Sequence, residues 1–329
     1  MKLAQAAYRK GTRGWVGSHV QDKMMTDKQE ELDRLRSRID QLDREVHDRL
    51  TERARIVADI GRQKTPGQPP VRPARELALI QGLLARNQRP LADAAVIAIW
   101  REIIGASVLQ QGPIAVAVHA GETGDAGALV GLARDHFGAG ATIKATESAM
   151  AAIRAIEQDP ARALAVFRYP SDGEDRPWWR LLAGAHAASP KVVASLPLCG
   201  LAGTAPAAML VMQAAVITPA DRSLLVLLMR GDLSRDRLRD WLGKLGLRVL
   251  SAIAQAASGG TVPSWLIEID GTPGQDDPRL AAVTAASDSP VDRVLVIGSY
   301  QCSAAPTPEP PPTDTPTTVP LHSAIGPQS

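Results

Sequence analysis

The sequence is poor in the residues that mark several large classes of protein. Only two of its 329 residues are cysteine, Cys199 and Cys302, and aromatic residues make up 3%. So few cysteines argue against a disulfide framework and favour a reduced, cytoplasmic setting. The scarcity of aromatic residues and the formal net charge of +2 give no basis for nucleic-acid binding.

Long apolar runs and metal-ligand spacings are also missing. No apolar run reaches the ~18 residues of a membrane-spanning helix, so no membrane partner is expected. The first residues are basic but contain no apolar segment, so they are not expected to be a secretory signal. No metal or cofactor is expected, because the histidines lack metal-site spacing. Three histidines and a tryptophan pair are therefore predicted to be packing or surface residues: His119, His136, His186, Trp178 and Trp179.

Glycine and proline are absent from residues 26–60, where a long amphipathic helix is predicted to begin and to continue to Lys64. Its apolar residues recur mostly at intervals of three and four, at Leu32, Leu35, Ile39, Leu42, Val46, Leu50, Ile56, Val57 and Ile60. Thr26 is a suitable N-cap, and residues 1–25 are expected to form a disordered extension. The helix would span on the order of 55 Å, too long to bury its apolar stripe against the shorter helices that follow. It needs a partner chain, which predicts a homodimer.

Two shorter helices are predicted after this one. The proline-rich loop of residues 65–70 ends the long helix. A second helix starts at Pro73, a residue suited to the first helical turn, and extends to Arg86. A third helix runs from about Leu91 to Gln111. The segment is therefore predicted to be an all-helical domain.

Several polar residues lie on or beside the apolar faces of these helices, where charges are normally excluded unless they are paired. They are Arg36, Arg53, Lys64, Arg75, Glu76, Ser107 and Gln111. Arg53 and Lys64 fall within about 20° of each other on one helical face, whereas Arg36 lies roughly 100° from Arg53. Clustered cations in a helical bundle indicate a bound anion. The alternative is that Arg36 and Arg53 are ordinary solvated charges.

Residues 26–112 resemble the all-helical class of chorismate mutases. The motifs that carry the resemblance are Leu35-Arg36-x-x-Ile39-Asp40-x-Leu42-Asp43, Glu52-Arg53, Gly61-x-x-Lys64, Val71-Arg72-Pro73-Ala74-Arg75-Glu76 and Ile103-Ile104-x-x-Ser107-Val108-x-x-Gln111. In that family the fold is an intertwined helical dimer with two equivalent active sites. The resemblance implies an isomerase that converts chorismate to prephenate in phenylalanine and tyrosine biosynthesis.

The resemblance also implies roles for individual residues. Those expected to be catalytic are Arg36 from the partner subunit, Arg53 on a substrate carboxylate, Lys64 and Gln111 at the ether oxygen, and Glu76 at the ring hydroxyl. Those expected to bind substrate are Arg75, Ser107 and Arg72, the last at a position where the family often has aspartate.

The chemistry of this reaction suits such a set of residues. The rearrangement is pericyclic, so it needs no nucleophile, general base or metal. The protein must hold a dicarboxylate in its compact form, and planar guanidinium groups grip carboxylates bidentately. It must also stabilise the charge that develops as the C–O bond breaks, which a lysine and an amide can do for about 3 kcal/mol per donor.

From Pro113 onward the pattern changes to alternating strands and helices. Strands are predicted at residues 114–118, 141–145 and 163–169, and helices at 125–137 and 147–158. This α/β region, residues 113–215, resembles a reduced prephenate dehydratase domain. The Thr-Arg-Phe motif of that family is missing, and Ala208-Met209-Leu210 stands where it would fall, just before a strand. The region is therefore expected to be catalytically inactive.

Residues 223–303 are predicted to form a β-α-β-β-α-β, ferredoxin-like domain that resembles the amino-acid-sensing ACT domain. The Glu-Ser-Arg-Pro signature of phenylalanine-binding members is replaced by small residues near Ala254–Ala257. An amino-acid effector and a purely dimerising role both remain open. The tail, residues 304–329, is predicted to be disordered. Two other readings also stay open: a bifunctional mutase–dehydratase, and an extension that docks a partner enzyme and controls the mutase.

Overall fold

The computed structural model describes residues 12–64, 68–122, 124–183, 189–198, 206–213, 220–257, 262–274, 276–285 and 289–302. The predicted tail and His186 lie outside these residues. The chain divides into two compact units, residues 1–66 and 67–329. This division differs from the predicted domain boundary after residue 112, because the second and third helices belong to the same unit as the sheet.

The first unit contains a single long helix, α1, which runs from Thr12 to Gln63. It begins well before Thr26, so residues 12–25 of the predicted disordered extension are helical, and residues 1–11 of that extension lie outside the described residues. No proline interrupts this stretch, so nothing forces the helix to begin at Thr26. After Thr26, the apolar stripe of α1 is exposed, with Leu35 51%, Ile39 57% and Val46 56% accessible.

The second unit begins with two helices, α2 (Pro73–Leu84) and α3 (Asp93–Gln110). Both were predicted, and Pro73 occupies the first turn of α2 as expected. Their apolar faces pack in the same core as the sheet that follows, through Leu77 and Ile80 of α2 and Ile104 and Val108 of α3. The two helices are therefore structurally continuous with the α/β region.

A nine-stranded sheet forms the rest of the second unit. Its strands are β1 (Ala115–His119), β2 (Thr142–Ala145), β3 (Ala163–Arg168), β4 (Lys191–Leu196), β5 (Ala208–Met212), β6 (Arg222–Met229), β7 (Val249–Gln255), β8 (Ser264–Asp270) and β9 (Val291–Tyr300). The helices are α4 (Ala126–Phe137), α5 (Ala149–Gln158), α6 (Arg235–Lys244) and α7 (Pro278–Ala285), and a 3₁₀ turn covers Trp178–Leu182. The strand order is β2-β1-β3-β5-β4-β9-β6-β8-β7.

The α/β region contains two strands, β4 and β5, that the sequence analysis did not identify. They pair antiparallel with each other, and β5 also pairs antiparallel with β3. Ala208, Met209 and Leu210 lie within β5 and are fully buried, so they are part of a strand and do not precede one. A short apolar run can be a strand or a segment of a buried helix, and periodicity alone does not decide between the two.

The last four strands have the predicted β-α-β-β-α-β order, and they are arranged β9-β6-β8-β7 with antiparallel pairing. This is the ferredoxin-like topology expected for residues 223–303. The topology does not form a separate sheet, because β9 pairs parallel with β4 at Gly298 and Val192. A Cβ on Gly298 would lie 2.3 Å from the Val192 carbonyl oxygen, so only glycine fits at this junction.

Candidate functional site

The cations predicted on the long helix differ in their surroundings. Arg36 is exposed and pairs with Asp33 on the same helix, with Nη1 2.9 Å from Oδ1. Arg53 is half-buried, and this burial lowers the pKa of its guanidinium. Lys64 is also half-buried and lies just beyond the end of α1, where its backbone N–H donates to the Gly61 carbonyl at 3.4 Å.

Glu76 is held at the N-terminus of α2. Its side chain is buried, and Oε1 accepts a hydrogen bond from the backbone N–H of Arg72, the N-cap residue, at 3.2 Å. This contact satisfies one of the amide donors left over at the start of the helix, where a negative charge is also favoured. The side chains of Arg72 and Arg75 are exposed. The structure therefore brings Glu76 to the Arg72 backbone, while the Arg72 and Arg75 side chains face solvent.

Ser107 lies on α3 and Gln111 is the C-cap residue of that helix, one turn further along the chain, and the structure brings them together. Ser107 Oγ donates to the Ile103 carbonyl at 2.6 Å, and Gln111 Nε2 donates to the Ser107 carbonyl at 2.9 Å. Gln111 Oε1 is buried and has no hydrogen-bond partner among the described residues. A buried acceptor of this kind is costly to leave unpaired, so it marks a position where a donor would be stabilised.

A buried cluster that the sequence analysis missed surrounds the other oxygen of Glu76. Glu76 Oε2 accepts from Arg101 Nη1 of α3 at 3.0 Å. The same Nη1 lies 3.2 Å from His136 Nδ1 of α4, and His136 Nε2 lies 3.9 Å from Glu76 Oε2. Glu76, Arg101 and His136, here called the Glu76 cluster, therefore link α2, α3 and α4.

The protonation of His136 follows from its contacts. A guanidinium nitrogen can only donate, so Nδ1 accepts from Arg101 and the ring proton is on Nε2. Burial, and then the positive charge of Arg101, hold the pKa of His136 well below its ordinary value. His136 is thus neutral in the folded protein. It was predicted to be a packing or surface residue; it is buried, and its ring nitrogen contacts a charge.

We expect His136 to make the protein less stable in mild acid. The unfolded chain protonates this histidine below about pH 6.5 while the folded protein keeps it neutral. The unfolded state then binds more protons, so the free energy of unfolding falls as pH decreases, by at most about 1.4 kcal/mol per pH unit. Urea denaturation between pH 7 and pH 5 measures this slope. His136→Asn should reduce the slope, whereas the control His47→Asn, on an exposed position of α1, should not; an unchanged slope in His136→Asn contradicts the assignment.

A second buried carboxylate lies in the ferredoxin-like part of the sheet. Glu268 of β8 accepts hydrogen bonds from Tyr300 at 2.6 Å and from Tyr169 at 3.3 Å, and Arg222 Nη1 is 3.6 Å away. Burial and the charge of Glu268 raise the pKa of both phenols. Both tyrosines therefore remain hydrogen-bond donors, and the cluster is a satisfied element of the core.

In the region predicted to resemble an amino-acid sensor, backbone and side-chain groups already bond to Asp172, which lies outside that region. The backbone N–H of Ala254 donates to Asp172 Oδ1 at 3.2 Å, and Arg235 pairs with Asp172 at 2.8 Å.

Trp178 and Trp179 are buried, as the packing prediction required, and Trp178 stacks on Phe167. Among the residues that the structure describes, no group of three or more histidine, cysteine, aspartate or glutamate side chains is placed to hold a metal ion.

None of the described helices has the length and apolar character that crossing a membrane requires. The described residues define a helical N-terminal part followed by a C-terminal α/β sheet, with the predicted polar residues on α1, α2 and α3. Residues 35–112 match the family of chorismate mutase type II. The chain therefore contains a chorismate mutase type II domain, and the resemblance stated from the sequence is confirmed.

Two curated relatives each match about a quarter of the chain. A bifunctional chorismate mutase/prephenate dehydratase of Pseudomonas aeruginosa is 36% identical over 95 residues, which cover 27% of this chain and 26% of that protein. A protein of the same description from Stutzerimonas stutzeri is 32% identical over 94 residues, again 27% of this chain and 26% of that protein. The alignments thus cover only a minor part of each relative.

Solved structures resemble the chain weakly. GqqA, described as a novel type of quorum quenching acylase, is 16% identical, covers 57% of this chain and 95% of its own, and gives a TM-score of 0.40. Prephenate dehydratase from Streptococcus mutans is 13% identical, covers 58% of this chain and 99% of its own, and gives 0.36. Likenesses of this strength define neither an activity nor a ligand for this chain.

Proposed function

We propose that this protein is a cytoplasmic chorismate mutase that converts chorismate to prephenate by electrostatic stabilisation. The observation that carries the proposal is the family match at residues 35–112, which contains every predicted site residue. In this proposal Arg53 clamps a carboxylate, and Lys64 donates to the ether oxygen. Gln111 donates to the same oxygen with the second hydrogen of Nε2, because the first is bonded to the Ser107 carbonyl. The half-buried state of Arg53 supports its role, because a partly desolvated guanidinium binds an anion more strongly than a solvated one.

The proposal assigns Glu76 to the ring hydroxyl and Arg75, Ser107 and Arg72 to substrate binding. Each oxygen of a carboxylate has two lone pairs, so Glu76 can accept a substrate hydroxyl while it keeps its bonds to Arg72 and Arg101. Ser107 and Arg75 are placed one turn from Gln111 and next to Glu76 respectively. These contacts support the assignment without requiring a nucleophile, base or metal.

Growth of a bacterial strain that lacks its own mutase tests the proposal. The chain should restore growth on medium without phenylalanine and tyrosine, because the host supplies all later steps. The Lys64→Ala variant should not restore growth at equal expression. If the wild-type chain is soluble and abundant in this strain and growth still fails, the proposed activity is wrong.

We also propose that the active form is a homodimer in which Arg36 acts in the site of the partner subunit. The support is the apolar stripe on α1, where Leu35, Ile39 and Val46 are more than half exposed in the single chain. A continuous stripe of this kind marks an interaction surface, and a second α1 offers a matching one. Arg36 lies on another face of α1 than Arg53, as a residue directed to a partner's site would.

Hybrid dimers provide a prediction for this arrangement. Arg36→Ala and Arg53→Ala homodimers should each be inactive, whereas a heterodimer of the two should regain one intact site, because one site carries both defects and the other carries neither. Activity after mixing and subunit exchange measures this recovery. If native mass spectrometry shows that heterodimers form and they remain inactive, Arg36 lies outside the partner's site.

For the C-terminal region we propose a structural role without dehydratase activity, with an ACT-like ferredoxin fold that contributes to assembly. Ala208, Met209 and Leu210 are fully buried apolar residues within β5, which provides no polar side chain at the position of the missing motif. The backbone of Ala254, where the signature of phenylalanine-binding members would fall, already bonds to Asp172. Neither place offers the groups that catalysis or amino-acid recognition needs.

Prephenate supplied directly to the purified protein should remain unchanged, because the region contains no acid or base at the motif position. Liquid chromatography of the reaction mixture measures phenylpyruvate, and a known dehydratase in parallel is the positive control. Phenylpyruvate formation would favour the bifunctional alternative. Calorimetry should also detect no phenylalanine binding at micromolar concentration, and binding that depends on residues 223–303 would contradict the structural role.

A further inference from the structure

The Glu76 cluster lies where the mutase helices meet the α/β region. Its three members come from α2, α3 and α4, and all three residues are more than nine-tenths buried. We propose that Arg101 and His136 are positioning residues for Glu76, so that α4 of the α/β region contributes to the mutase reaction. This inference rests on the proposed function and names two residues that act through a third.

Arg101 fixes the orientation of the Glu76 carboxylate. Oε1 is tied to the start of α2 by the Arg72 N–H, and Oε2 is tied to α3 by Arg101 at 3.0 Å. Two bonds from different helices leave the carboxylate little rotational freedom, because each of its oxygens accepts from a separate donor. A carboxylate held in this way is ready to accept a substrate hydroxyl without reorganisation.

His136 fixes the position of Arg101. The shared Nη1 donates to Glu76 and approaches His136 Nδ1 at 3.2 Å, so the imidazole opposes displacement of the guanidinium away from α4. The ring itself is fixed by its edge-to-face contact with Phe137, whose centroid is 4.6 Å away. The positions of α4 and Glu76 are thus joined by consecutive polar contacts.

The backbone packing of α3 against α4 makes this connection stiff. The Cα of Gly105 lies against the carbonyl of Phe137, where an added Cβ would be 2.2 Å from the oxygen. A shift of α4 must therefore move α3 and Arg101 with it. Displacement by about 1 Å can lower a reaction rate by up to about 10²-fold.

Steady-state kinetics of the full-length protein with chorismate test the inference in two backgrounds. His136→Leu removes the acceptor for Arg101, and His136→Asn keeps an acceptor near the position of Nδ1. His136→Leu should lower kcat by about tenfold to 10²-fold with little change in KM, and His136→Asn should recover most of the loss. In a Glu76→Gln background, which already lacks the carboxylate, His136→Leu should have no further effect, because residues that act as a unit are not additive.

Glu102→Gln is the matched control, since it weakens another contact between α3 and the end of α4 without touching Glu76. It should change kcat by no more than about twofold. A loss in Glu102→Gln equal to that in His136→Leu, or additive losses in the Glu76→Gln background, overturns the inference and leaves the proposed function intact. If His136→Leu does not fold, the comparison uses Arg101→Lys in the same two backgrounds. Absence of turnover in the wild-type protein overturns the proposed function, and the inference with it.

Discussion

Replacing Lys64 or Arg53 with alanine should each lower kcat/KM for chorismate by about 10²-fold or more, because each removes a charged donor that acts on the transition state. Lys64 is proposed to stabilise the charge on the ether oxygen, and Arg53 to hold a carboxylate in the reactive geometry. Neither side chain belongs to the buried core, so helix content should remain unchanged. Stopped assays of prephenate formation and circular dichroism measure the two quantities.

The control for this prediction is Arg49→Ala on the same helix. Arg49 is exposed and pairs with Glu52 on the same helix, at 2.9 Å, so its loss should alter stability by less than about 0.5 kcal/mol and leave the rate unchanged. Near-native turnover by Lys64→Ala would mean that Lys64 is a solvated charge. That result would remove the basis for placing the ether oxygen beside it.

Gly105→Ala should destabilise the second unit by about 1–3 kcal/mol, the range found when a packed interior receives an extra group. The new Cβ would lie 2.2 Å from the Phe137 carbonyl oxygen and 2.8 Å from its carbon, both of which are backbone atoms. The backbone cannot rotate away as a flexible side chain can, so α3 and α4 must separate. Urea denaturation of the purified protein measures the loss.

Gly82→Ala in α2 is the matched control, because a Cβ at that position would have no atom within 4 Å. Alanine there should raise the free energy of unfolding by about 0.5–1 kcal/mol, since alanine favours the helical state over glycine. Opposite signs for the two substitutions support the close packing of α3 on α4. A Gly105→Ala protein as stable as the wild type would show that the two helices do not approach so closely.

The periodic elements of the fold were predictable from the sequence because their patterns are local. The recurrence of apolar residues at intervals of three and four positions predicted α1, and Pro73 predicted the start of α2. Strand β8 and strand β9 were predicted at their observed bounds, Ser264–Asp270 and Val291–Tyr300. In each case neighbouring residues alone determine the element.

The features that were missed depend on contacts between distant residues. Strand β5 pairs with β3, and strand β4 pairs with β9, so both are placed by residues far away in the sequence. Arg101 lies 25 residues from Glu76 and 35 residues from His136, so no spacing rule connects them. One local indication was Arg101, an arginine within the apolar stretch of α3. A charged residue does not occupy such a position unless it has a partner.

The candidate site was predictable only through the family resemblance. Motif spacing identified the polar residues of α1, α2 and α3, and the family match at residues 35–112 agrees with it. Spacing could not reveal that Glu76 is shared between Arg72 and Arg101, because that arrangement depends on how α3 packs against α2. The roles of Arg36, Arg53, Lys64 and Gln111 therefore remain predictions.

The conversion of chorismate by the purified full-length protein tests the central claim most directly. Chorismate is followed by proton NMR in buffer with a metal chelator, since the proposed mechanism uses only side chains. We expect saturable conversion far above the spontaneous rate, with prephenate formed in equal amount and no phenylpyruvate. Consumption of chorismate at the spontaneous rate by a folded, dimeric protein would contradict the claim.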